Sequence, residues 1–348
     1  MRAVILGGGI AAVFTAYFLR ERGFDVVGVG GEVSYPLVSL VLTTSMPHRE
    51  DIELALRSLE IWKKFANLRE VVSVDILPRW VDLSRLRGVR YEVVDRVDGV
   101  RLAADEVAVL TRDYLIPVRD VVSRLRRELG FSNSYGLLKV ERRRAVVVAD
   151  GRRIEGEVVV LAAGYKNSIL AGEAGVRLPL APYECYAVLL VTGRKARRYS
   201  IGDYVLGWYG RPGPPLLYIA GDGCGRMGVG PPPNYQRRLA NLVSQRLGAA
   251  IPLYLKVGYC EVGPHGGPLY GKHPELENLY VIGGFNGYGS MVGPALAERL
   301  AELMAGRARE DGFRLEKYLG ARVFDPCDVA ERHDWGAVLL RNAYKHNE

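Results

Sequence analysis

Arg2-Ala3-Val4-Ile5-Leu6-Gly7-Gly8-Gly9-Ile10-Ala11-Ala12 follows Met1 directly, and its reading decides the fold. Arg2 to Leu6 reads as a short buried strand, Gly7 to Gly9 as a tight turn, and Ile10 to Arg22 as a helix. Gly23 stops that helix before a second strand over Asp25 to Val29, which completes a βαβ unit. In this GxGxxA pattern Gly7 permits the turn, Gly9 lets backbone approach a pyrophosphate, and the small Ala12 allows the helix to lie close on the sheet. The anion then meets a helix N-terminus, whose N–H groups and dipole stabilise it. One position departs from the pattern. An acid that bonds the adenosine ribose is expected at the end of the second strand, where Gly30 stands, and Glu32 is the nearest candidate.

Working outward, helical periodicity returns over Ile52 to Ala66 and over Val118 to Leu129, with Pro117 placed for a helix start. Strand-like stretches follow at Leu137 to Glu141, Ala145 to Ala149 and Glu157 to Ala163. From Leu180 to Glu261 the chain is β-rich, with strands expected at Cys185 to Thr192, Val205 to Tyr209, Leu216 to Asp222 and Leu253 to Glu261. One amphipathic helix, Asn234 to Leu247, interrupts them. A strand at Leu279 to Gly283, a glycine-rich turn and a helix over Met291 to Ala305 then return the chain to the first domain.

Composition bounds the chemistry. The chain has 348 residues, 49% hydrophobic and 25% charged, which is ordinary for a globular protein with room for two domains. No stretch approaches the ~20 apolar residues of a membrane helix, and the N-terminus opens on a strand without a signal-peptide pattern, so a cytoplasmic protein is expected. Cys185, Cys224, Cys260 and Cys327 form no CxxC pair, and His265 and His273 are poorly spaced as ligands, so no metal is expected and any redox cofactor is organic. The net charge of +8 is spread along the chain, which makes a nucleic-acid partner the weaker reading. Two glutamines in all, Gln236 and Gln245, are thermophile-like usage.

Two further segments join the first motif. Val158-Val159-Val160-Leu161-Ala162-Ala163-Gly164 is a buried strand ending in small residues. Gly263-Pro264-His265-Gly266-Gly267-Pro268-Leu269-Tyr270-Gly271-Lys272-His273-Pro274 runs on through Asn278-Leu279-Tyr280-Val281-Ile282-Gly283-Gly284-Phe285-Asn286-Gly287-Tyr288-Gly289-Ser290-Met291-Val292-Gly293-Pro294-Ala295. On these residues the sequence resembles the D-amino-acid oxidase and glycine oxidase family of FAD enzymes, which includes sarcosine oxidases and archaeal dye-linked proline dehydrogenases. Ser58-Leu59-Glu60-Ile61-Trp62 is similar to a helix of that family, and the likeness extends from Met1 to about Tyr318.

The resemblance implies a mixed α/β fold, a Rossmann-type FAD-binding domain interleaved with an antiparallel-sheet substrate domain. The FAD-binding domain would take residues 1–80, 116–180 and 263–318, the substrate domain 81–115 and 181–262, and a C-terminal extension 319–348. FAD would lie on Gly7, Gly9, Ile10, Ala11, Ala12, Glu32, Ala163, Gly164, Gly284, Gly287, Tyr288, Gly289, Ser290 and Met291. Backbone N–H groups at the start of the last helix would face the flavin edge where negative charge develops on reduction.

The substrate side departs from the family. Its carboxylate-clamping arginine is replaced by Cys260, its signature aspartate by His265 and its common histidine by Phe285. Tyr209, Tyr218, Tyr288 and Cys260 are the candidate pocket residues, and Arg226, Lys256 and Lys272 the candidate replacement cations. The implied reaction is oxidation of a carbon–nitrogen bond in a small amino acid or secondary amine, with hydride passing to flavin N5. Alternatives are a hydroxy acid or polyol phosphate as substrate, or an FAD-holding subunit of a larger dehydrogenase or RNA-modifying complex. The electron acceptor and the oligomeric or hetero-complex state stay open at this level.

A side chain at Gly9 would occupy the pyrophosphate's approach. Gly9→Leu is therefore expected to fold but to purify without the flavin absorbance that wild type releases on denaturation. Stoichiometric FAD in the folded variant would place the site elsewhere.

Overall fold

The computed structural model describes residues 1–31, 40–42, 49–86, 88–213, 216–307, 311–321 and 324–330. The chain opens with β1 (Arg2–Leu6), α1 (Ile10–Arg20) and β2 (Asp25–Val29). Next come β3 (Leu40–Leu42), α2 (Arg49–Phe65), β4 (Arg69–Pro78), β5 (Tyr91–Val94) and β6 (Glu106–Ile116). Helix α3 (Val118–Glu128) leads to β7 (Gly136–Glu141), β8 (Arg144–Ala149), β9 (Arg152–Ile154), β10 (Val158–Leu161) and α4 (Asn167–Glu173). The β-rich stretch contains β11 (Ala181–Thr192), β12 (Tyr199–Asp203), β13 (Trp208–Pro212), β14 (Leu217–Gly225), α5 (Tyr235–Leu247) and β15 (Ala250–Val262). Strands β16 (Leu269–Lys272) and β17 (Leu279–Gly283), then α6 (Gly289–Met304) and α7 (Pro326–Ala330), complete the described elements.

The strands form three sheets, and the fold is mixed α/β. One sheet has the order β16-β17-β10-β1-β2, with β17, β10, β1 and β2 mutually parallel and β16 antiparallel at its edge. Helices α1, α2 and α6 cover one of its faces, burying Phe14, Trp62 and Leu296 in one core. The β7-β8-β9 meander covers the other, where Leu138 and Val147 pack on Val4, Leu6 and Leu161. The nine-stranded sheet runs β15-β11-β14-β13-β12-β4-β6-β3 with β5 paired to β6.

Alternation along these strands sends successive side chains to opposite faces. Val74, Ile76, Val188, Leu190, Trp208, Tyr218 and Ala220 share a buried cluster with Leu239 and Val243 of α5. The opposite face includes Leu77, Val107 and Val109, which enter the core of α1, α2 and α6. The nine-stranded sheet therefore turns the face opposite α5 toward the helices that cover the parallel sheet.

In chain order the nine-stranded sheet takes first β3, which pairs with β6, and then β4, which pairs with both β6 and β12. Two element boundaries read from the sequence need correction. The strand expected at Val205 to Tyr209 begins instead at Trp208. Asp203 Oδ1 accepts from the N–H groups of Val205 and Leu206, and Gly207 sits at φ +72°, so this stretch is a turn. The final long helix starts at Gly289, two residues before the expected Met291. Residues 335–344, helix-like in sequence, lie outside the described residues. Among the described residues no helix is long and apolar enough to cross a membrane.

A buried ion triad fixes α5 to its sheet. Arg246, with 7% of its side chain exposed, donates to both oxygens of Glu106 at 2.6 and 2.7 Å and to Asp203 Oδ2 at 2.7 Å. Burial by itself lowers the guanidinium's pKa, but the two carboxylates outweigh it and hold it above the ordinary value. Arg246→Met would strand two buried carboxylates, a loss of about 3–5 kcal/mol. A denaturant midpoint lowered by less than about 1 kcal/mol equivalent would contradict this role.

Candidate active site

The first turn is built by close backbone approach. Gly7, at φ +140°, donates its N–H to Val29 O at 2.8 Å, and a Cβ on it would overlap the Ala162 carbonyl. A Cβ on Gly30 would run into the Gly7 carbonyl and Gly8 nitrogen. This contact explains why a glycine stands where an acid was expected. Glu32 lies outside the described residues. Gly9 caps α1 at φ −87°, a value open to any residue, and no side chain caps the helix.

A residue missed in the sequence holds this turn. Arg126 of α3 is buried and donates to Gly30 O at 2.7 Å, Gly8 O at 3.3 Å and Asn133 Oδ1 at 2.8 Å. Its signal was visible. Arg126 is a charge on the stripe of Val118, Val121, Val122 and Leu125 that α3 buries.

The other two motifs converge on the same place. Ala162 N–H donates to Leu6 O at 2.8 Å, which brings the end of β10 beside Gly7, and Gly164 turns the chain away at φ +60°. Ala163 N–H is held by Asn167 Oδ1 at 2.7 Å. Gly284 and Gly287, at φ +73° and +84°, shape the loop into α6, whose N-cap is Tyr288. A Cβ on Gly293 would come within 3.1 Å of Ile10 Cγ2, so α1 and α6 start side by side. Pro294 has no N–H to give Ser290 O four residues back, and Trp62 Nε1 takes that role at 2.8 Å. This is the physical use of the tryptophan in the family-like helix.

A buried glutamate joins these segments. Glu261, at the end of β15, accepts from Asn167 Nδ2 at 3.0 Å, Gly284 N–H at 3.2 Å and Ser168 N–H at 3.3 Å. Burial pushes its carboxyl up to about 7 despite these donors. In the sequence Glu261 is only the last residue of an expected strand. Asn286, at φ +46°, adds a second tie: its N–H donates to Glu261 O at 2.8 Å and its Oδ1 accepts from the Tyr183 hydroxyl at 2.7 Å.

The candidate substrate residues divide. Tyr209 lies on the face of the nine-stranded sheet opposite α5, its ring over Gly221, and is more than half exposed. Tyr218 is fully buried on the opposite face among the α5 contacts, with its hydroxyl donating to Tyr199 O at 3.3 Å, so it walls no pocket. Tyr288 is buried at the head of α6, where burial and then the nearby Asp51 raise its pKa. Cys260 faces the loop: a Cβ on Gly287 would lie 3.9 Å from its sulfur. His265 stacks on Tyr318 with ring centroids 4.5 Å apart, and Phe285 packs under Gly289.

The three cations named from sequence are exposed. Arg226 is bound to Asp325 at 2.7 Å, Lys272 lies at the end of β16, and Lys256, between Leu255 and Val257 that pack on the α5 side, projects from the opposite face. Arg211 was not among them. It alternates with Gly210, whose Cβ would strike the Tyr218 ring on the α5 side, so Arg211 projects with Tyr209 to the face opposite α5. Burial pulls its guanidinium down to about 10, and it remains protonated at neutral pH.

A glycine cradle at β1, β2 and β10, with two helix starts beside it, defines a dinucleotide-binding oxidoreductase. The family profile described as FAD dependent oxidoreductase, DAO, matches residues 2–303. The chain belongs to that FAD-dependent family, and FAD is its cofactor. Similar solved structures include L-proline dehydrogenase from P. horikoshii, 20% identical with TM-score 0.73 over 93% of this chain and 96% of that one. Glycine oxidase from Bacillus cereus ATCC 14579 is 17% identical, with TM-score 0.72 over 93% and 99%. Iminodiacetate oxidase from Chelativorans sp. BNC1 is 18% identical, with TM-score 0.72 over 91% and 98%. At these identities the likeness is one of fold. A search of curated protein sequences returns no match.

The raised Glu261 carboxyl has a defined sign. Its folded value, about 7, lies above its ordinary 4.5, so the folded protein binds the extra proton between those pH values. Stability from this group is full below about 4.5 and declines as pH rises through 7, by on the order of 3 kcal/mol. Glu261→Gln is expected to flatten that decline in denaturant midpoints measured from pH 5 to 8; parallel wild-type and variant profiles would contradict it.

Proposed function

We propose that this FAD-dependent enzyme oxidises a carbon–nitrogen bond in a small amino acid or secondary amine that carries a carboxylate. The observation behind this reading is Arg211, a partly buried cation beside Tyr209 on the same sheet face as Cys260, whose sulfur lies near Gly287. A guanidinium there replaces, from a different strand, the arginine that Cys260 displaces. Its planar donor fork matches a carboxylate in charge and shape.

The residues that would hold the cofactor are Gly7 to Ala12 and Arg126 at the pyrophosphate, Ala163 and Gly164 beside it, and Gly284 to Met291 at the flavin edge. The bound flavin supplies a two-electron acceptor for hydride leaving the carbon next to nitrogen. Arg211 then fixes the substrate's anionic end, and Tyr209 shields it from water. With the amine bound neutral, no dedicated base is needed. The protein's contribution is position and orientation. Electrons leave to an acceptor or partner that the sequence does not specify.

Anaerobic flavin bleaching by matched pairs tests this, proline against pyrrolidine and an amino acid against its amide. Wild type is expected to prefer the carboxylate member. Arg211→Met is expected to lose about 1.5–3 kcal/mol of that preference, roughly 10- to 150-fold in KM. A preference that survives in Arg211→Met removes the assignment, and bleaching only by hydroxy acids replaces the carbon–nitrogen reading.

A further inference from the structure

The four cysteines, scattered in sequence, stand in one row in the fold. Cys185 on β11 is the register partner of Cys224 on β14, and β15 on its other side carries Cys260. Cys224 is disulfide-bonded to Cys327 of α7, with Cα atoms 5.3 Å apart. The sequence reading, which saw only the lack of a CxxC pair, did not anticipate this bond. Cys185 and Cys260 are thiols whose sulfurs lie 3.0 Å apart, inside van der Waals contact.

The local structure makes that approach specific. In the antiparallel register Cys185 faces Gly258 and Cys260 faces Tyr183, so the two cysteines are diagonal neighbours. Strand twist brings one diagonal of such a pair together. Gly258 makes the room, since a Cβ there would lie 3.0 Å from the Cys185 sulfur. Tyr183, Val262, Cys224 and Phe324 form the apolar cluster around the pair, and the neighbouring Glu184 carboxylate opposes ionisation of Cys185.

We propose that Cys185 and Cys260 are a redox-active pair that closes reversibly to a second disulfide beside Cys224–Cys327, with a low-molecular-weight disulfide as oxidant. Cys185 is the attacking group: its hydrogen bond with Cys260 lowers its pKa, while the same bond and burial push Cys260 up. The Cys185 thiolate attacks one sulfur of the small disulfide, forming a mixed disulfide as the first thiolate leaves and takes up a proton. Cys260 then loses its proton, attacks the Cys185 sulfur and expels the second thiolate. Two protein thiols are oxidised and one small disulfide is reduced to two thiols. The closed pair clamps β11 to the edge strand β15 one residue before Glu261, the carboxylate that holds Gly284.

The test equilibrates the FAD-loaded protein in glutathione buffers from reduced to oxidised, quenches with acid, alkylates with N-ethylmaleimide and maps unreduced peptides by mass. Reducing buffers are expected to yield both residues alkylated, and oxidising buffers a Cys185–Cys260 linked peptide two hydrogens lighter than the separate thiols. Separate alkylation, or separate glutathione adducts, at both residues in oxidising buffer overturns the proposal. In Cys185→Ser, Cys260 is expected as a glutathione adduct; a Cys260–Cys224 link there would overturn Cys185 as the partner. This covalent readout does not depend on substrate, so its failure is distinct from failure of the carboxylate reading.

Discussion

At the carboxyl ends of β1, β2 and β10 three chain segments approach so closely that no Cβ fits between them. Gly7 rests on the Ala162 carbonyl, and Gly30 on the backbone of Gly7 and Gly8. That contact sets the spacing of the parallel sheet at the point where α1 begins, and through Ile10 against Gly293 it sets where α6 begins. A glycine cradle leaves backbone polar groups near the surface of a cleft, suited to an anionic cofactor. It also leaves the loops around it without side chains to hold them.

Buried polar side chains from distant elements supply that hold. Arg126 bonds carbonyls at Gly8 and Gly30, Glu261 takes N–H groups from Ser168 and Gly284, and Trp62 satisfies the carbonyl that Pro294 leaves open. Each is buried with its partners in place, and removing one strands a polar group at a cost above that of the bond itself. The flavin-side loops thus depend on tertiary contacts rather than on their own sequences.

Alternation across the nine-stranded sheet separates structure from chemistry. Tyr218 and Trp208 lie under α5, while Tyr209 and Arg211, one residue out of phase with Trp208, look the other way. Arg211 on β13 and Cys260 on β15 project from the same face of one sheet, where the Cys260 sulfur lies against that of Cys185.

The βαβ opening, the small residues after β10 and the glycine-rich entry to α6 were legible in the sequence, because each is a local pattern with a local cause: a tight turn, a close approach, a helix start. Fold class and cofactor followed from them. Most long helices and strands were also legible from period, whereas β4 and β6 were not, since their pairing partners lie in other parts of the chain. The ties at Arg126 and Glu261, the sheet face of Arg211 and the row of cysteines were decided only in three dimensions. Gly284 stands 23 residues from Glu261 and Gly8 118 from Arg126, and no spacing rule spans such gaps. Phase, too, was beyond local reading. Tyr209 and Tyr218 look alike as strand tyrosines, and only the register of β13 on β14 and the packing of α5 put one in the core and the other over the cleft.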